Sequence, residues 1–121
     1  MEVIKYSLEW KDKWDNFVLE SNNGTMFHLQ KFFDYHTPGK FTFDHLIFLE
    51  KGNIIAVLPG AVKNKMFESP IGASYGSIVT RDITFAKAME IVSTLLSYCR
   101  NNGIEELLLT APPMVYENHP N

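Results

Sequence analysis

The chain has one cysteine, Cys99, so no internal disulfide can form. That fits a reducing cytosol, and a cytoplasmic protein is expected. No apolar run approaches the roughly 20 residues that cross a bilayer. The start, Met1-Glu2-Val3-Ile4-Lys5-Tyr6, lacks the apolar stretch of a secretory signal. Basic residues are scarce: 11 Lys and Arg stand against 14 Asp and Glu, a formal net charge of -3. The densest basic stretch is only Lys63-Asn64-Lys65, which argues against a nucleic-acid duplex as partner. Repeats, low-complexity segments and linkers are missing too. His28, His36, His45 and His119 show no metal-ligand spacing and no second cysteine can join them, so no metal is expected.

Aromatic and aliphatic residues are plentiful. Nine Phe, five Tyr and two Trp, within a hydrophobic fraction of 45%, place the 121 residues above the disordered range and within one domain. A chain of this length removes roughly two thirds of its unfolded surface from water.

Val3, Ile4 and Tyr6 read as a first strand. Trp10, Trp14, Phe17 and Val18 recur at i, i+4, i+7 and i+8 and predict a helix, with Ser7 as N-cap and Asn22-Asn23-Gly24 as its end. A second, shorter helix is expected over 29–35, stopped by Thr37-Pro38-Gly39. The segment 44–50 reads as a strand, Lys51-Gly52-Asn53 as a hairpin turn, and 54–62 as the returning strand. Pro59-Gly60 within it implies a bulge or an edge, because proline removes a ladder donor. We expect 63–69 to be a turn or a short extension of the hairpin, and 74–79 to be the next strand. Phe85, Met89, Val92, Leu95, Leu96 and Cys99 mark the apolar face of a long helix closed by Asn102-Gly103. Ile104 and Leu107-Leu108-Leu109 then form an apolar run suited to a strand covered on both faces. The order is βααβββαβ, an α/β (α+β) mixed sheet with helices on both faces. The crossover at the end predicts that the last two strands run parallel.

This order, with these turns, resembles the first part of a GNAT (Gcn5-related N-acetyltransferase) domain, and more narrowly the FemAB-like branch. The resemblance rests on Trp14, Gly24-Thr25-Met26-Phe27-His28, Leu58-Pro59-Gly60, Ser69-Pro70-Ile71-Gly72-Ala73-Ser74-Tyr75-Gly76 and Pro112-Pro113-Met114-Val115-Tyr116. It covers nearly all of 1–121 and implies a single GNAT-like acyl-CoA N-acyltransferase domain, truncated or the N-terminal half of a larger protein. It further implies transfer of an acyl or aminoacyl group to an amine. Acyl-CoA is the possible donor, no cofactor is held tightly, and a homo-oligomer or a missing partner domain is expected.

Two features depart from the family. GNAT enzymes cradle pyrophosphate with R/Q-x-x-G-x-G/A at the start of the central helix, where bare backbone N–H groups face the anion. The matching turn here is Thr80-Arg81-Asp82-Ile83-Thr84-Phe85, which has no glycine and carries Asp82. Arg81 is the candidate cofactor-binding residue, able to offset that charge. The second departure is length, since the family's later helix and strands find no counterpart in 1–121.

Candidate substrate contacts are His36, Gly72, Tyr75 and Tyr116. His36 ends a loop that in the family flanks the acceptor site. Gly72 and Gly76 would let a ligand approach backbone, and Tyr75 would offer a hydroxyl. A tight turn with Tyr75 packed is the other reading. Tyr116 would be the phenol that protonates a leaving thiolate, or a residue packed on the sheet end. Ser74 in Gly-Ala-Ser-Tyr-Gly is followed by a strand, not the helix that a nucleophile elbow needs, so a hydrolase is rejected. Cys99, on the apolar helix face, reads as a core residue. Asp44 and Glu68 are conceivable general bases that nothing selects. A bulge at Pro59-Gly60 would expose backbone donors for an oxyanion, in which case a β-branched residue at Gly60 would lower turnover without unfolding the protein. The alternative function is a non-catalytic binding or assembly module that completes its sheet with another chain.

Overall fold

The computed structural model describes residues 1–21, 44–69, 78–81 and 83–109. Strand β1 (Glu2–Lys5) leads through a 3-10 turn (Leu8–Trp10) into helix α1 (Lys11–Leu19). Ser7 precedes the turn as expected, but its hydroxyl bonds to the Glu9 carboxylate and not to a backbone N–H. Next come β2 (Leu46–Glu50), β3 (Asn53–Leu58), β4 (Ala61–Lys63), β5 (Met66–Ser69) and β6 (Val79–Thr80). Helix α2 (Phe85–Asn101) and strand β7 (Glu106–Leu109) follow. The expected helix over 29–35, the end of the first helix at Asn22-Asn23-Gly24, and most of 74–79 lie outside the described residues.

Two sheets form. One has the order β1-β2-β3-β6 and is antiparallel throughout; the other has the order β4-β5-β7. The hairpin between β2 and β3 turns on Lys51 and Gly52, with φ of 53° and 82°. Two successive positive φ values give a turn whose twist matches its strands. The β4–β5 hairpin repeats the device at Asn64 and Lys65, with φ of 52° and 64°. The Lys65 carbonyl also accepts from Glu105 N–H at 2.8 Å and Glu106 N–H at 3.2 Å, so this turn sets the entry to β7.

Three expectations need correction. The single returning strand over 54–62 is divided, because Pro59 and Gly60 bend the chain from the first sheet into the second. The segment 63–69 is not a mere turn: β5 is the middle strand of the second sheet. Finally, β7 runs parallel to β5, not beside β6, which pairs antiparallel with β3.

The register of these pairs explains the second correction. Val57 and Ala61 are four positions apart on the bent strand, whereas their partners Val79 and Glu68 are eleven apart. Strands β5 and β6 therefore lie against one continuous stretch of chain.

Helices cover both faces of the first sheet, as expected. Leu46 and Phe48 of β2 join Phe67, Ile91, Leu95 and Cys99 in the core under α2. Ile47 and Leu49 join Trp14, Phe17 and Val18 in the core under α1. This alternation is why β2 reads as an unbroken apolar run. Thr84 caps α2, its Oγ1 accepting from Lys87 N–H at 3.1 Å. Gly103 closes the helix in the left-handed conformation at φ 70°, and Ile104 N–H bonds back to the Cys99 carbonyl at 2.9 Å.

Candidate functional site

A cavity of about 430 Å³ opens between β6 and the N-terminal half of α2. Ile78, Ile83, Ala88, Ile91 and Val92 make apolar walls, with Thr80, Thr84 and Phe85 at the helix end. The first turn of α2 carries no acidic residue. The positive end of the helix dipole thus meets the mouth of an apolar groove. Such a site accommodates an extended apolar or amide-bearing chain ending in an anion. Among the described lining residues there is no carboxylate, imidazole or thiol.

Lys87 adds positive charge to that first turn and is anchored there. Its ammonium bonds to Glu50 at the end of β2 and to Glu90 one turn on, at 3.1 Å. The hydrogen bond to Glu50 is the main reason the Lys87 pKa is raised, and the same bond lowers that of Glu50. The pair joins the groove's helix to the first sheet.

The bend at Pro59-Gly60 is held from the other side. Gly60 N–H donates to His45 Nδ1 at 3.0 Å, and the Gly60 carbonyl accepts from Asp44 N–H at 2.8 Å. His45 is buried against Trp14 and Tyr6, with ring centroids 5.4 and 5.8 Å away. Burial lowers its pKa to about 3. The ring is therefore neutral at pH 7, and because Nδ1 accepts, the proton resides on Nε2. The partner of His45 Nδ1 is thus a backbone donor.

This geometry corrects the oxyanion idea. The Gly60 N–H is already committed to His45. A Cβ at Gly60 would sit 2.6 Å from the Phe67 ring and 2.7 Å from the Glu68 carbonyl oxygen, so a β-branched residue would disrupt the fold.

Arg81 follows β6 directly but does not line the groove. Its guanidinium lies 4.6 Å from the Phe17 ring centroid, and Nη2 is 3.9 Å from the Glu20 carboxylate, so it faces α1. His36, Gly72, Tyr75 and Tyr116 lie outside the described residues, as does Asp82. Ile78, where the described chain resumes ahead of β6, is itself a groove residue. Cys99 is buried in the core, and burial raises its thiol pKa, in keeping with a packing role.

Sequence reasoning missed Ile83 and Ala88 as groove residues and Ile91 as core. The only sequence signal was an apolar stripe on α2 wider than one packed face requires.

No family model matches the chain, and no curated protein does. Solved structures do. A GNAT family acetyltransferase from Staphylococcus aureus superposes with a TM-score of 0.59 at 13% identity, covering 100% of this chain and 93% of that one. A ribosomal-protein-alanine N-acetyltransferase from Brucella melitensis gives 0.56 at 12% identity, covering 95% and 84%. An aminoglycoside 6'-N-acetyltransferase from Acinetobacter haemolyticus gives 0.53 at 13% identity, covering 92% and 79%. The chain has the mixed α+β fold of GNAT acetyltransferases.

Proposed function

We propose that the protein is an acyltransferase of the GNAT type, and that the groove between β6 and α2 receives the acyl donor, an acyl-CoA. The observation that carries this reading is the position of the groove. Its apolar length suits a pantetheine-like arm, and the capped start of α2 at its mouth suits a phosphate. The likeness of the fold to acetyltransferases adds to it.

The reaction is attack of an acceptor amine on the donor's acyl carbon. A C–N bond forms, the thioester C–S bond breaks, and the amine proton leaves as the thiolate is protonated. The groove contributes positioning, the larger part of what such a site must supply. Acceptor contacts are proposed on His36, Gly72, Tyr75 and Tyr116, with the phenol of Tyr116 as a proton donor to the thiolate. Assignment to the FemAB-like branch rests on the sequence resemblance carried by the run from Ser69 to Gly76.

Calorimetric titration with acetyl-CoA tests the reading. Saturable binding in the wild type, abolished in Ala88→Phe, is expected, because the added ring fills the groove. No binding, or binding that Ala88→Phe leaves intact, would overturn the assignment.

A further inference from the structure

Phe85 is the most exposed large apolar side chain among the described residues, at 82%. It is the first residue of α2, directly after the Thr84 cap. Nothing local calls for a phenyl ring there. First helical turns favour proline and acidic residues, and Phe is only an ordinary helix former. The core does not take it either, since α2 buries Ile91, Leu95 and Cys99 and leaves Phe85 in water. Its ring stands where the groove between β6 and α2 opens, as one of the lining residues.

The charges around that mouth are already engaged. Lys87, two residues on, shares its ammonium between Glu50 and Glu90. The Arg81 guanidinium lies over the Phe17 ring and pairs with Glu20, on the side of α1. Among the described lining residues there is no Lys or Arg. A ligand bearing several phosphates therefore meets the helix dipole here, while both nearby basic side chains are held by carboxylates.

Size divides the ligand in the same place. At about 430 Å³ the cavity lies in the lower half of the roughly 300–1,000 Å³ usual for ligand pockets. It takes the thioester arm of an acyl-CoA and leaves the nucleotide at the mouth.

We propose that Phe85 is a stacking platform for the purine of the donor's nucleotide, and so the residue that makes the site prefer a nucleotide-bearing donor. The inference rests on the reading of the groove as the acyl-CoA site. An exposed phenyl ring offers a flat apolar face, and the purine is the part of the donor with a matching π-face. Stacking needs no counter-charge, which suits a mouth whose basic side chains are engaged elsewhere. The base lies an arm's length from the acyl carbon, so Phe85 binds the donor without touching the reacting atoms.

Calorimetric titration of the full chain with two donors tests the proposal. Acetyl-CoA carries the base; acetyl-phosphopantetheine keeps the arm and one phosphate and lacks it. The wild type should bind acetyl-CoA about tenfold more tightly, the scale of one base stacked on an aromatic ring. Phe85→Ala should lower that preference about tenfold. Phe85→Leu, apolar but without a π-face, should lower it as far, and Phe85→Trp should keep it. Comparing the two donors within each variant separates the base from the rest of the ligand. Because Phe85 is exposed, none of the three changes removes a core contact. A wild type that binds both donors equally would overturn the proposal and leave the donor-site reading standing. So would a preference that Phe85→Ala or Phe85→Leu leaves unchanged. Binding of neither donor would overturn the donor-site reading, and this proposal with it.

Discussion

Replacing Gly60 by alanine adds one methyl group at a place with no room for it. The new Cβ would lie 2.6 and 2.7 Å from two atoms of the Phe67 ring and 2.7 Å from the Glu68 carbonyl oxygen. Neither neighbour can yield easily. Phe67 is fully buried in the core under α2, and Glu68 is held in the β4–β5 ladder opposite Ala61. Relief requires the bend itself to move, which stretches the bond from Gly60 N–H to His45 Nδ1. Overpacking of this kind costs about 1–3 kcal/mol, and the weakened hydrogen bond adds about 1 kcal/mol. We expect a total near 3 kcal/mol, read as a urea midpoint lower by roughly 2 M at an m-value near 1.5 kcal/mol/M. Gly52→Ala is the control, because φ there is 82° and nothing lies within 4 Å of the new Cβ. It should cost about 1–2 kcal/mol from backbone strain alone. A Gly60→Ala variant as stable as Gly52→Ala would refute the steric account of the bend.

Acid should unfold the protein through His45. Its folded pKa is about 3 against an unfolded value near 6.5, so below pH 6.5 the unfolded chain binds a proton that the native chain does not. The contribution is complete above pH 6.5 and falls by about 1.4 kcal/mol per pH unit down to about pH 3. Urea titrations at pH 7 and pH 5 should differ by about 2 kcal/mol more in the wild type than in His45→Gln, and equal differences would remove His45 as the cause. Glu50 acts in the same direction, since its lowered pKa stabilises the fold above its unfolded pKa and the effect is lost as it protonates. In Lys87→Met that part of the acid response should shrink, read from the same titrations. Trp14, fully buried in the core under α1, should cost about 3–5 kcal/mol on replacement by alanine, measured by guanidinium unfolding.

Local signals in this chain were reliable wherever one residue type solves one backbone problem. Gly52 and Gly103 ended the elements they were expected to end, because positive φ is cheap only without a Cβ. Trp14, Phe17 and Val18 face the core because helical spacing leaves them on one side. The likeness to GNAT domains was legible from element order together with its turn residues. The groove was not, because its walls come from Ile78 and Thr80 on one element and from Ala88, Ile91 and Val92 on another. Periodicity gave α2 one broad apolar face, and only the packed sheet divides it into a buried half at Ile91, Leu95 and Cys99 and an open half at Phe85, Met89, Val92 and Leu96.

The sequence by itself determined where the β2–β3 hairpin turns, where α2 ends, and which helix faces are apolar, since those are decided by φ preferences and by the 3.6-residue period. Tertiary structure alone decided what Pro59 and Gly60 do. A proline and a glycine in a strand announce an irregularity, but its direction depends on His45 and Asp44 meeting Gly60 across fifteen positions or more of chain. That bend carries the chain from the first sheet into the second, where β5 pairs with β7 in parallel.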